Sequence, residues 1–320
     1  MTASIPARLH LGFLDPDGGL GRRFGSIGVA ISDLKTRISI ERAPAMRITG
    51  PESERVARYL DVMRRDLALE GTYRIAILDA VPPHSGLGSG TQLALAVAAA
   101  VRHLHRLALD VQGDAIRLDR GARSGVGVGL FDRGGLVVDG GRGENLRPAP
   151  VIARMPFPAH WRILVVLDPA RQGKHGPAEI AAFESLPAFP GEAAAHLCRL
   201  VLMKALPSLA EEDFTGFGSA ITEIQERLGD YYAGAQGGSR YTSPDVAAVV
   251  AALCRAGALG TGQSSWGPTG FAFAPSPQEA ERLAVIARRQ PEARGLDIRI
   301  CTGLNRGAEL LAHGRDENPP

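Results

Sequence analysis

The chain has 320 residues and a net charge of +2, and 45% of its residues are hydrophobic while 22% are charged. This balance is typical of a globular protein with one large or two smaller domains, and it argues against nucleic-acid or membrane partners. Three widely separated cysteines without a C-x-x-C pair argue against a disulfide scaffold or a structural zinc site and favour a reducing, cytoplasmic location.

The first part of the chain is predicted to be rich in strands. The segments ARLHLGFL and TYRIAILDAV are typical of strands, and SIGVAISDLKTRISIER predicts two strands around a turn. Between them, SERVARYLDVMRRDLALEG has apolar residues at helical spacing and ends on Gly71, a candidate C-cap. The strand that ends near Val81 leads into a glycine loop and a helix from about Thr91 to Leu107.

A second glycine-rich segment and a run of prolines follow. The segment RSGVGVGLFDRGGLVVDGGRGEN predicts a loop followed by a hairpin around Gly134 and Gly135. The four prolines of RPAPVIARMPFPAHW suggest a crossing between domains. We therefore predict one domain over residues 1–155, which holds the glycine loop, and a second over residues 156–320.

The second half is predicted to alternate strands and helices. A buried strand, RILVVLDP, precedes a helical run from Gly191 to Leu228, and SPDVAAVVAALCRAG predicts a helix capped by Ser243. A hairpin in GQSSWGPTGFAFAP, a helix in SPQEAERLAVIARRQ and a strand in GLDIRICTG complete the pattern, and HGRDENPP is predicted to be a frayed tail. The predicted fold class is α+β, in two layers.

The segment PPHSGLGSGTQLALA places small residues directly before a helix. Backbone N–H groups at a helix N-terminus are unpaired, and the helix dipole adds about half a positive charge there. Gly86, Gly88 and Gly90 would let this backbone close around a phosphate. The loop is neither a Walker A sequence, since no Lys-Ser/Thr pair follows, nor a G-x-G-x-x-G dinucleotide fingerprint. A purely structural turn remains the alternative.

Three motifs of this chain resemble the GHMP superfamily of small-molecule kinases. PPHSGLGSGTQLALA is similar to that superfamily's nucleotide-phosphate loop, PARLHLGFLD to its N-terminal motif and GQSSWGPTGFAF to its third, glycine-rich motif. Together they span nearly the whole chain, so the resemblance implies a two-domain GHMP kinase-like fold with mixed or antiparallel sheets and helices packed on them.

The chain departs from the kinases at three places. Gly90 stands where the kinases usually have a serine that helps to hold Mg²⁺ and phosphate, and Gly127 stands near the position of the catalytic aspartate. Trp266 is bulky where the kinase motif has glycines. A kinase needs a base or a substitute to position its acceptor hydroxyl, so the missing aspartate argues against kinase activity.

These departures resemble one branch, the β-ribofuranosylaminobenzene 5′-phosphate synthase family. SGLGSGTQLALA, FDRGGLVVDGG, PFPAHWRILVV, QGKHG and GQSSWGPTGFAF are the similar segments. Membership would imply that phosphoribosyl diphosphate condenses with 4-aminobenzoate and releases CO₂ and pyrophosphate, a step of tetrahydromethanopterin biosynthesis. The family also suggests a homodimer. Because CO₂ rather than a proton leaves the ring, this reaction needs no strong protein base.

The diphosphate is assigned to the glycine loop. Its predicted binding residues are the eight consecutive ones Ser85, Gly86, Leu87, Gly88, Ser89, Gly90, Thr91 and Gln92. Mg²⁺ is the expected cofactor, with Asp132 and Glu179 as candidate ligands, although an acidic residue beside glycine also fits an ordinary turn.

The remaining candidates lie on four other segments. Lys174, His175 and His84 are the candidate catalytic residues, because cationic or protonatable groups in glycine-rich loops suit anions, with a solvated turn and a capping role as the alternatives. Predicted substrate-binding residues are Arg8 and His10 on the first strand, Arg123 and Ser124, and the polar cluster Gln263, Ser264, Ser265 and Trp266. A surface strand pair is the alternative for Arg8 and His10, and an ordinary surface arginine is the alternative for Arg123. Trp266 either stacks on the aminobenzoate ring or belongs to the core.

Two rival functions remain open at this stage. One is an ATP-dependent small-molecule kinase of the GHMP type, which a carboxylate near Gly127 in space would support. The other is a catalytically silent relative that binds a sugar phosphate and regulates a partner.

Overall fold

The computed structural model describes residues 1–144 and 147–312, and the predicted tail HGRDENPP lies outside them. Within these residues the chain forms a seven-stranded sheet and a four-stranded sheet. The larger sheet has the order β11-β1-β2-β4-β3, and β5 pairs with β2 and β6 with β5. Its strands are β1 Thr2–Asp15, β2 Phe24–Arg42, β3 Arg47–Thr49, β4 Tyr73–Asp79, β5 Leu136–Asp139, β6 Val151–Met155 and β11 Glu309–Leu311.

The second strand corrects the predicted pair of strands around a turn. β2 is one long strand, and its register against β1 shifts where Pro6 pairs with Lys35 but Ala7 pairs with Ile31. Residues 32–34 form the bulge between them, and Asp33 there has a left-handed φ of 65°. The chain thus bends within one strand instead of reversing.

Helices cover this sheet and lead to the glycine loop. They are α1 Ser53–Asp66, α2 Ser89–Leu104, α3 Val111–Arg117 and α4 Val126–Arg133. The first helix ends five residues before Gly71, so Gly71 is not its cap. The predicted loop is wrong from residue 126 onward, because Val126–Arg133 forms α4, and the predicted hairpin around Gly134 and Gly135 is also wrong, because these glycines lead from α4 into β5 and the chain reverses between β5 and β6. Small residues allow α4 to lie close to its neighbours, since a Cβ on Gly129 would lie 2.6 Å from Val151.

The smaller sheet is antiparallel in the order β10-β7-β9-β8, and it confirms the predicted hairpin, the buried strand in RILVVLDP and the strand in GLDIRICTG. Its strands are β7 Arg162–Leu167, β8 Leu259–Gln263, β9 Thr269–Ala274 and β10 Asp297–Cys301. The helices that follow β7 are α5 Gly176–Glu184, α6 Gly191–Leu200, α7 Leu206–Ala210, α8 Phe214–Ala233, α9 Pro244–Arg255 and α10 Pro277–Arg288. A π-helical turn, Val201–Ala205, joins α6 to α7.

The largest core cluster joins both sheets. Leu9 of β1, Val165 of β7 and Phe273 of β9 belong to one buried cluster with Leu197 of α6 and Ile224 of α8. The strand β11, which the sequence pattern did not predict, also returns the chain to the first sheet, where Thr2 pairs with Leu311. The domain boundary at residue 155 stays a prediction, because β11 joins the first sheet and the largest core cluster contains residues from both sides of this boundary.

The stretch Gly191–Ala210 is long and apolar enough, by length and composition, to span a membrane. Its buried residues, including Leu197, Leu200 and Ala205, pack in the core beside β1 and α8. Core packing therefore accounts for the buried part of this stretch, whereas Leu202 and Met203 are 64% and 67% exposed.

Ser243 caps α9 as predicted and also fixes the end of β7. Its hydroxyl accepts from the Val246 N–H at 3.3 Å and donates to Asp168 Oδ2 at 2.6 Å. We expect Ser243→Ala to lower the free energy of unfolding by about 1–2 kcal/mol, because it removes the cap and one of the donors to the buried carboxylate of Asp168, which keeps the Ala170 N–H and Arg171. Urea unfolding checks this, with Ser185→Ala as the control, whose hydroxyl donates only to its own helix at Ala182. Equal stabilities of the two variants would contradict the role.

Candidate active site

Three glycine-containing segments meet backbone to backbone at the site. A Cβ on Gly86 would lie 2.1 Å from the carbonyl oxygen of Ser264, and one on Gly267 would lie 2.1 Å from that of Ser85. A Cβ on Gly173 would lie 2.3 Å from the carbonyl oxygen of Trp266. The glycines of PPHSGLGSG, QGKHG and SSWGPTG are thus needed where these segments touch, since no side chain fits between them.

The glycine loop ends at the N-terminus of α2, as predicted for a phosphate site. Gly86 and Gly88 have φ values of 84° and 77°, in the left-handed region that favours glycine. Gly88 precedes Ser89, the first residue of the helix, and no side chain caps this end. The first N–H groups of α2 are therefore available to an anion.

A cleft of about 590 Å³ opens in front of this helix end. Basic residues from several segments line it: Arg8, Arg55, Arg58, Arg120, Arg123 and Lys174, with His84 and His175. The carboxylates among the described lining residues are Asp119 and Glu179. The cleft therefore carries an excess of positive charge and suits a ligand with several negative charges.

Arg8 and His10 lie on the same face of β1, as predicted, and both line the cleft. Arg8 passes beneath the glycine loop, because its backbone N–H donates to Leu87 at 3.1 Å and a Cβ on Gly88 would lie 2.6 Å from its Cγ. Its Nη1 is enclosed and has no hydrogen-bond partner. Burial lowers the pKa of Arg8 to about 10, against the opposing effect of Glu179 and Asp139, so the guanidinium remains charged at neutral pH.

Arg123 and Glu179 face each other across the cleft. The Nη2 of Arg123 lies 3.0 Å from Oε2 of Glu179, which is on α5. Burial raises the pKa of Glu179, and the charges of Arg123 and Arg8 oppose this rise. Nη1 of Arg123 remains enclosed without a partner. The ion pair thus holds α5 next to the segment of Arg123, and Nη1 of Arg123 remains available to donate to a ligand.

Ser124 is held at the cleft by a buried carboxylate. Asp139, at the end of β5, accepts hydrogen bonds from the hydroxyl of Ser26 and from the Gly125 N–H at 2.9 Å, and the hydroxyls of Ser26 and Ser124 lie 2.6 Å apart. Burial raises the pKa of Asp139, and these donors oppose the rise. Asp139 therefore fixes the segment that positions Arg123.

The three candidate catalytic residues come together at one wall of the cleft. The rings of His84 and His175 stack with their centroids 3.5 Å apart, and the Gly173 N–H donates to the carbonyl of His84 at 2.9 Å. Burial lowers the pKa of His84, as do the nearby His175 and Arg55, so its ring is neutral at pH 7. Lys174 is exposed on the same wall.

Two of the four residues in the predicted cluster at residues 263–266, Gln263 and Ser264, have a structural role. The Ser264 hydroxyl accepts from the His10 N–H at 2.9 Å and donates to the carbonyl of Gly86 at 2.8 Å. The amide of Gln263 is occupied by Thr242 and Gln236. Neither side chain lines the cleft, whereas Ser265 does. These two residues join segments and do not face the cleft.

The predicted stacking role of Trp266 is not supported by its position. Its side chain is 4% exposed and packs against Phe183 and Tyr232, with ring centroids 5.2 and 4.8 Å away. Trp266 belongs to a buried aromatic cluster with Phe13 and Phe24. Although Trp266 is among the residues that line the cleft, its ring is buried against these aromatic neighbours and is not free to stack on a second ring.

Three side chains of the glycine loop also point away from the cleft. Leu87 is buried in the core, and the hydroxyl of Ser85 donates to the carbonyl of Pro82 at 2.8 Å. Gln92 is 1% exposed, and neither atom of its amide has a partner. Of the predicted loop residues, Gly86, Gly88, Ser89, Gly90 and Thr91 line the cleft.

The two candidate metal ligands do not form a metal site. Asp132 lies on α4 beside Arg133, with its side chain 64% exposed, and does not line the cleft, whereas Glu179 does and is paired with Arg123. In the described parts of the chain, no group of three or more His, Cys, Asp or Glu side chains is placed to hold a metal ion. These donors therefore do not fit a protein-held Mg²⁺.

The space around Gly127 bears on the kinase alternative. The three atoms nearest to a Cβ on Gly127 all belong to Thr91, at 3.2 to 3.8 Å. No carboxylate atom is therefore among the three nearest neighbours of this position in the described parts of the chain. The arrangement gives no support to kinase chemistry.

Sequence reasoning missed several cleft residues. Arg55 and Arg58 are three apart on α1, a spacing that places them on one helix face and could have indicated a shared site. Arg120 lies over the ring of Tyr59 at 5.5 Å and near Gly90, whose Cβ would lie 3.6 Å from its Nη1. Nothing in the local sequence of Arg120 indicates this placement.

The fold and the loop define a protein of the GHMP kinase class. The N-terminal and C-terminal domain models of GHMP kinases match residues 54–133 and 205–293. The structure is similar to a homoserine kinase from Cytophaga hutchinsonii, with a TM-score of 0.67 and 17% identity over 97% of both chains. It is also similar to mevalonate diphosphate decarboxylase from Staphylococcus aureus, with a TM-score of 0.65 and 17% identity over 98% of this chain and 99% of that one. This confirms the predicted two-domain α+β fold.

Sequence similarity identifies the branch. A β-ribofuranosylphenol 5′-phosphate synthase from Archaeoglobus fulgidus is 33% identical over 69% of this chain and 74% of its own length. The synthase of the same name from Methanothermobacter thermautotrophicus is 29% identical over 97% of this chain and 98% of its own length. The chain belongs to this synthase family, which confirms the resemblance carried by SGLGSGTQLALA and GQSSWGPTGFAF.

Proposed function

We propose that the protein condenses phosphoribosyl diphosphate with 4-aminobenzoate and releases CO₂ and pyrophosphate. The observation that supports this proposal best is the composition of the cleft. Five arginines and Lys174 surround a helix N-terminus that has no side-chain cap. Asp119 and Glu179 are the acidic residues among the described lining residues. Phosphoribosyl diphosphate carries a phosphate at one end and a diphosphate at the other, so its negative charges would match the basic residues of the cleft. The product, a C-riboside of aniline, would serve tetrahydromethanopterin biosynthesis.

The chemistry balances without a protein base. The bond from C1 of the ribose to the diphosphate oxygen breaks, and its electron pair leaves with pyrophosphate. The ring carbon that bears the carboxylate bonds to C1, and the electron pair of the C–CO₂ bond then restores the aromatic ring. The N–H groups of α2 and the guanidinium of Arg8 would stabilise the negative charge that develops on the leaving group. The neutral His84 on the same wall would donate a hydrogen bond to it.

Magnesium, location and assembly are parts of the same proposal. We infer that Mg²⁺ enters as a complex with the diphosphate, because the described carboxylates form no resident site. A cytoplasmic homodimer is proposed on the basis of the predicted reducing environment and the family resemblance. Light scattering tests the assembly, and a monomeric mass would contradict it.

The direct test is an assay of the purified protein with Mg²⁺, phosphoribosyl diphosphate and a carboxyl-labelled aromatic acid. We expect equal amounts of labelled CO₂ and pyrophosphate. The archaeal relatives are named for a phenol product, so 4-hydroxybenzoate is assayed beside 4-aminobenzoate. Absence of both products with either acid would refute the synthase. Formation of ADP from ATP would favour the kinase, and ligand binding without pyrophosphate release would favour the silent relative.

Replacing Lys174 by alanine is expected to raise the KM for phosphoribosyl diphosphate roughly ten-fold. Lys174 lies on the cleft wall and is exposed, so we expect water and ions to screen part of the attraction between its ammonium group and an anion. Steady-state kinetics measure the change, and Lys35→Ala is the control, because Lys35 is exposed on β2 and does not line the cleft. Wild-type KM in Lys174→Ala would remove the lysine from the site.

A further inference from the structure

A small cavity adjoins the cleft behind Trp266. It has a volume of about 30 Å³ and shares four lining residues with the cleft, namely His10, Phe13, Ser265 and Trp266. Helix α8 closes its other side with Tyr232. Since a cavity needs about 10–15 Å³ for each water-sized group, this one accommodates about two oxygen atoms and excludes an aromatic ring.

Three enclosed polar atoms on side chains that line this cavity have no hydrogen-bond partner. They are Nε2 of His10, the hydroxyl of Tyr232 and Nε1 of Trp266. His10 and Trp266 are 2% and 4% exposed. Buried polar groups are nearly always paired, so three unpaired ones around one cavity indicate a ligand or an ordered water.

All three atoms are able to donate hydrogen bonds. The Gly12 N–H donates to Nδ1 of His10 at 3.2 Å, which places the proton of the neutral ring on Nε2. Burial lowers the pKa of His10 well below its ordinary value and raises that of Tyr232 well above its own, so the imidazole is neutral and the phenol keeps its proton. The indole N–H of Trp266 is a donor only.

Four other polar side chains around the cavity are already occupied. Gln263 and Gln236 bond to each other at 2.9 Å, Gln225 donates to the carbonyl of Leu11 at 2.7 Å, and Arg240 binds Asp230. The charge that acts on His10 is the guanidinium of Arg8, whereas Arg23, Asp17 and Glu179 act on Tyr232. The cavity therefore offers neutral donors beside a positive charge.

We propose that this cavity is the subsite for the carboxylate oxygens of the aromatic acid, with His10, Tyr232 and Trp266 as the residues that recognise them. The inference rests on the proposed function for the identity of the acid. A carboxylate accepts several hydrogen bonds and donates none, which matches three unpaired donors on side chains that line one cavity. The ring itself would stay in the cleft, next to the ribose, because the cavity is too small to admit it.

Titration calorimetry with benzoate tests the subsite without requiring turnover. In the presence of saturating Mg²⁺ and pyrophosphate, Tyr232→Phe is expected to weaken benzoate binding roughly ten-fold or more, since it removes one hydrogen bond to a charged group. The control is Tyr231→Phe, because the Tyr231 hydroxyl donates to the carbonyl of Pro187 and does not line the cavity. Tyr231→Phe should retain wild-type affinity.

Thermal unfolding separates this role from a structural one. Tyr232→Phe should leave Tm unchanged or higher, because an unpaired buried hydroxyl does not stabilise the fold. Wild-type affinity for benzoate in Tyr232→Phe, or no benzoate binding to the wild type, would overturn the subsite and leave a buried water as the occupant. If the wild type binds benzoate through Tyr232 but releases no CO₂, only the proposed reaction fails.

Discussion

Replacing Gly88 by alanine is expected to lower kcat/KM for phosphoribosyl diphosphate by about 100-fold or more. Gly88 has a φ of 77°, where a side chain adds about 1–2 kcal/mol of strain. The new Cβ would also lie 2.6 Å from Cγ of Arg8, so both the loop and the guanidinium must move. A displacement of about 1 Å at a reacting group is enough for a loss of this size.

Gly191→Ala is the matched control for this prediction. Gly191 begins α6, and a Cβ there would meet no atom within 4 Å. We expect this variant to retain wild-type kinetics, and circular dichroism should show that Gly88→Ala is folded. If folded Gly88→Ala turns over like the wild type, the loop is a structural turn and not a diphosphate site.

The second large effect is expected from Arg8→Met, which should lower kcat by about 10²- to 10³-fold. Methionine keeps much of the apolar stem but removes the positive charge beneath the glycine loop. Loss of one donor to a developing negative charge typically has this effect on turnover. Release of labelled CO₂ and of pyrophosphate measures it. Stability should change little, because Nη1 of Arg8 has no partner in the free protein.

Arg74→Met controls for the loss of an arginine. Arg74 pairs with Glu41 on the surface of β4, where its side chain is 60% exposed. Exposed ion pairs contribute about 0–1 kcal/mol, so both stability and turnover should match the wild type. If the kcat of Arg8→Met lies within two-fold of that of Arg74→Met, Arg8 does not stabilise the negative charge that develops in the transition state.

The local features of the fold were accessible from the sequence because they depend on neighbouring residues. The cap at Ser243 and the helix after the glycine loop follow from residue types at fixed spacing. The hairpin of β8 and β9 follows in the same way. The glycine-rich segment RSGVGVGLFDR was predicted less well. Val126–Arg133 forms a helix despite two glycines, since burial against the sheet outweighs their weak propensity.

The sequence by itself determined the family and the glycine segments that build the site, because the small residues of PPHSGLGSG, QGKHG and SSWGPTG are demanded by the backbone. Tertiary structure alone decided which side chains reach the cleft. Arg8 and Arg120 converge there from segments more than 100 residues apart, while Ser264 turns inward to bond His10 and Gly86. Such placement depends on which distant strands and helices pack together, and spacing along a chain carries no information about that.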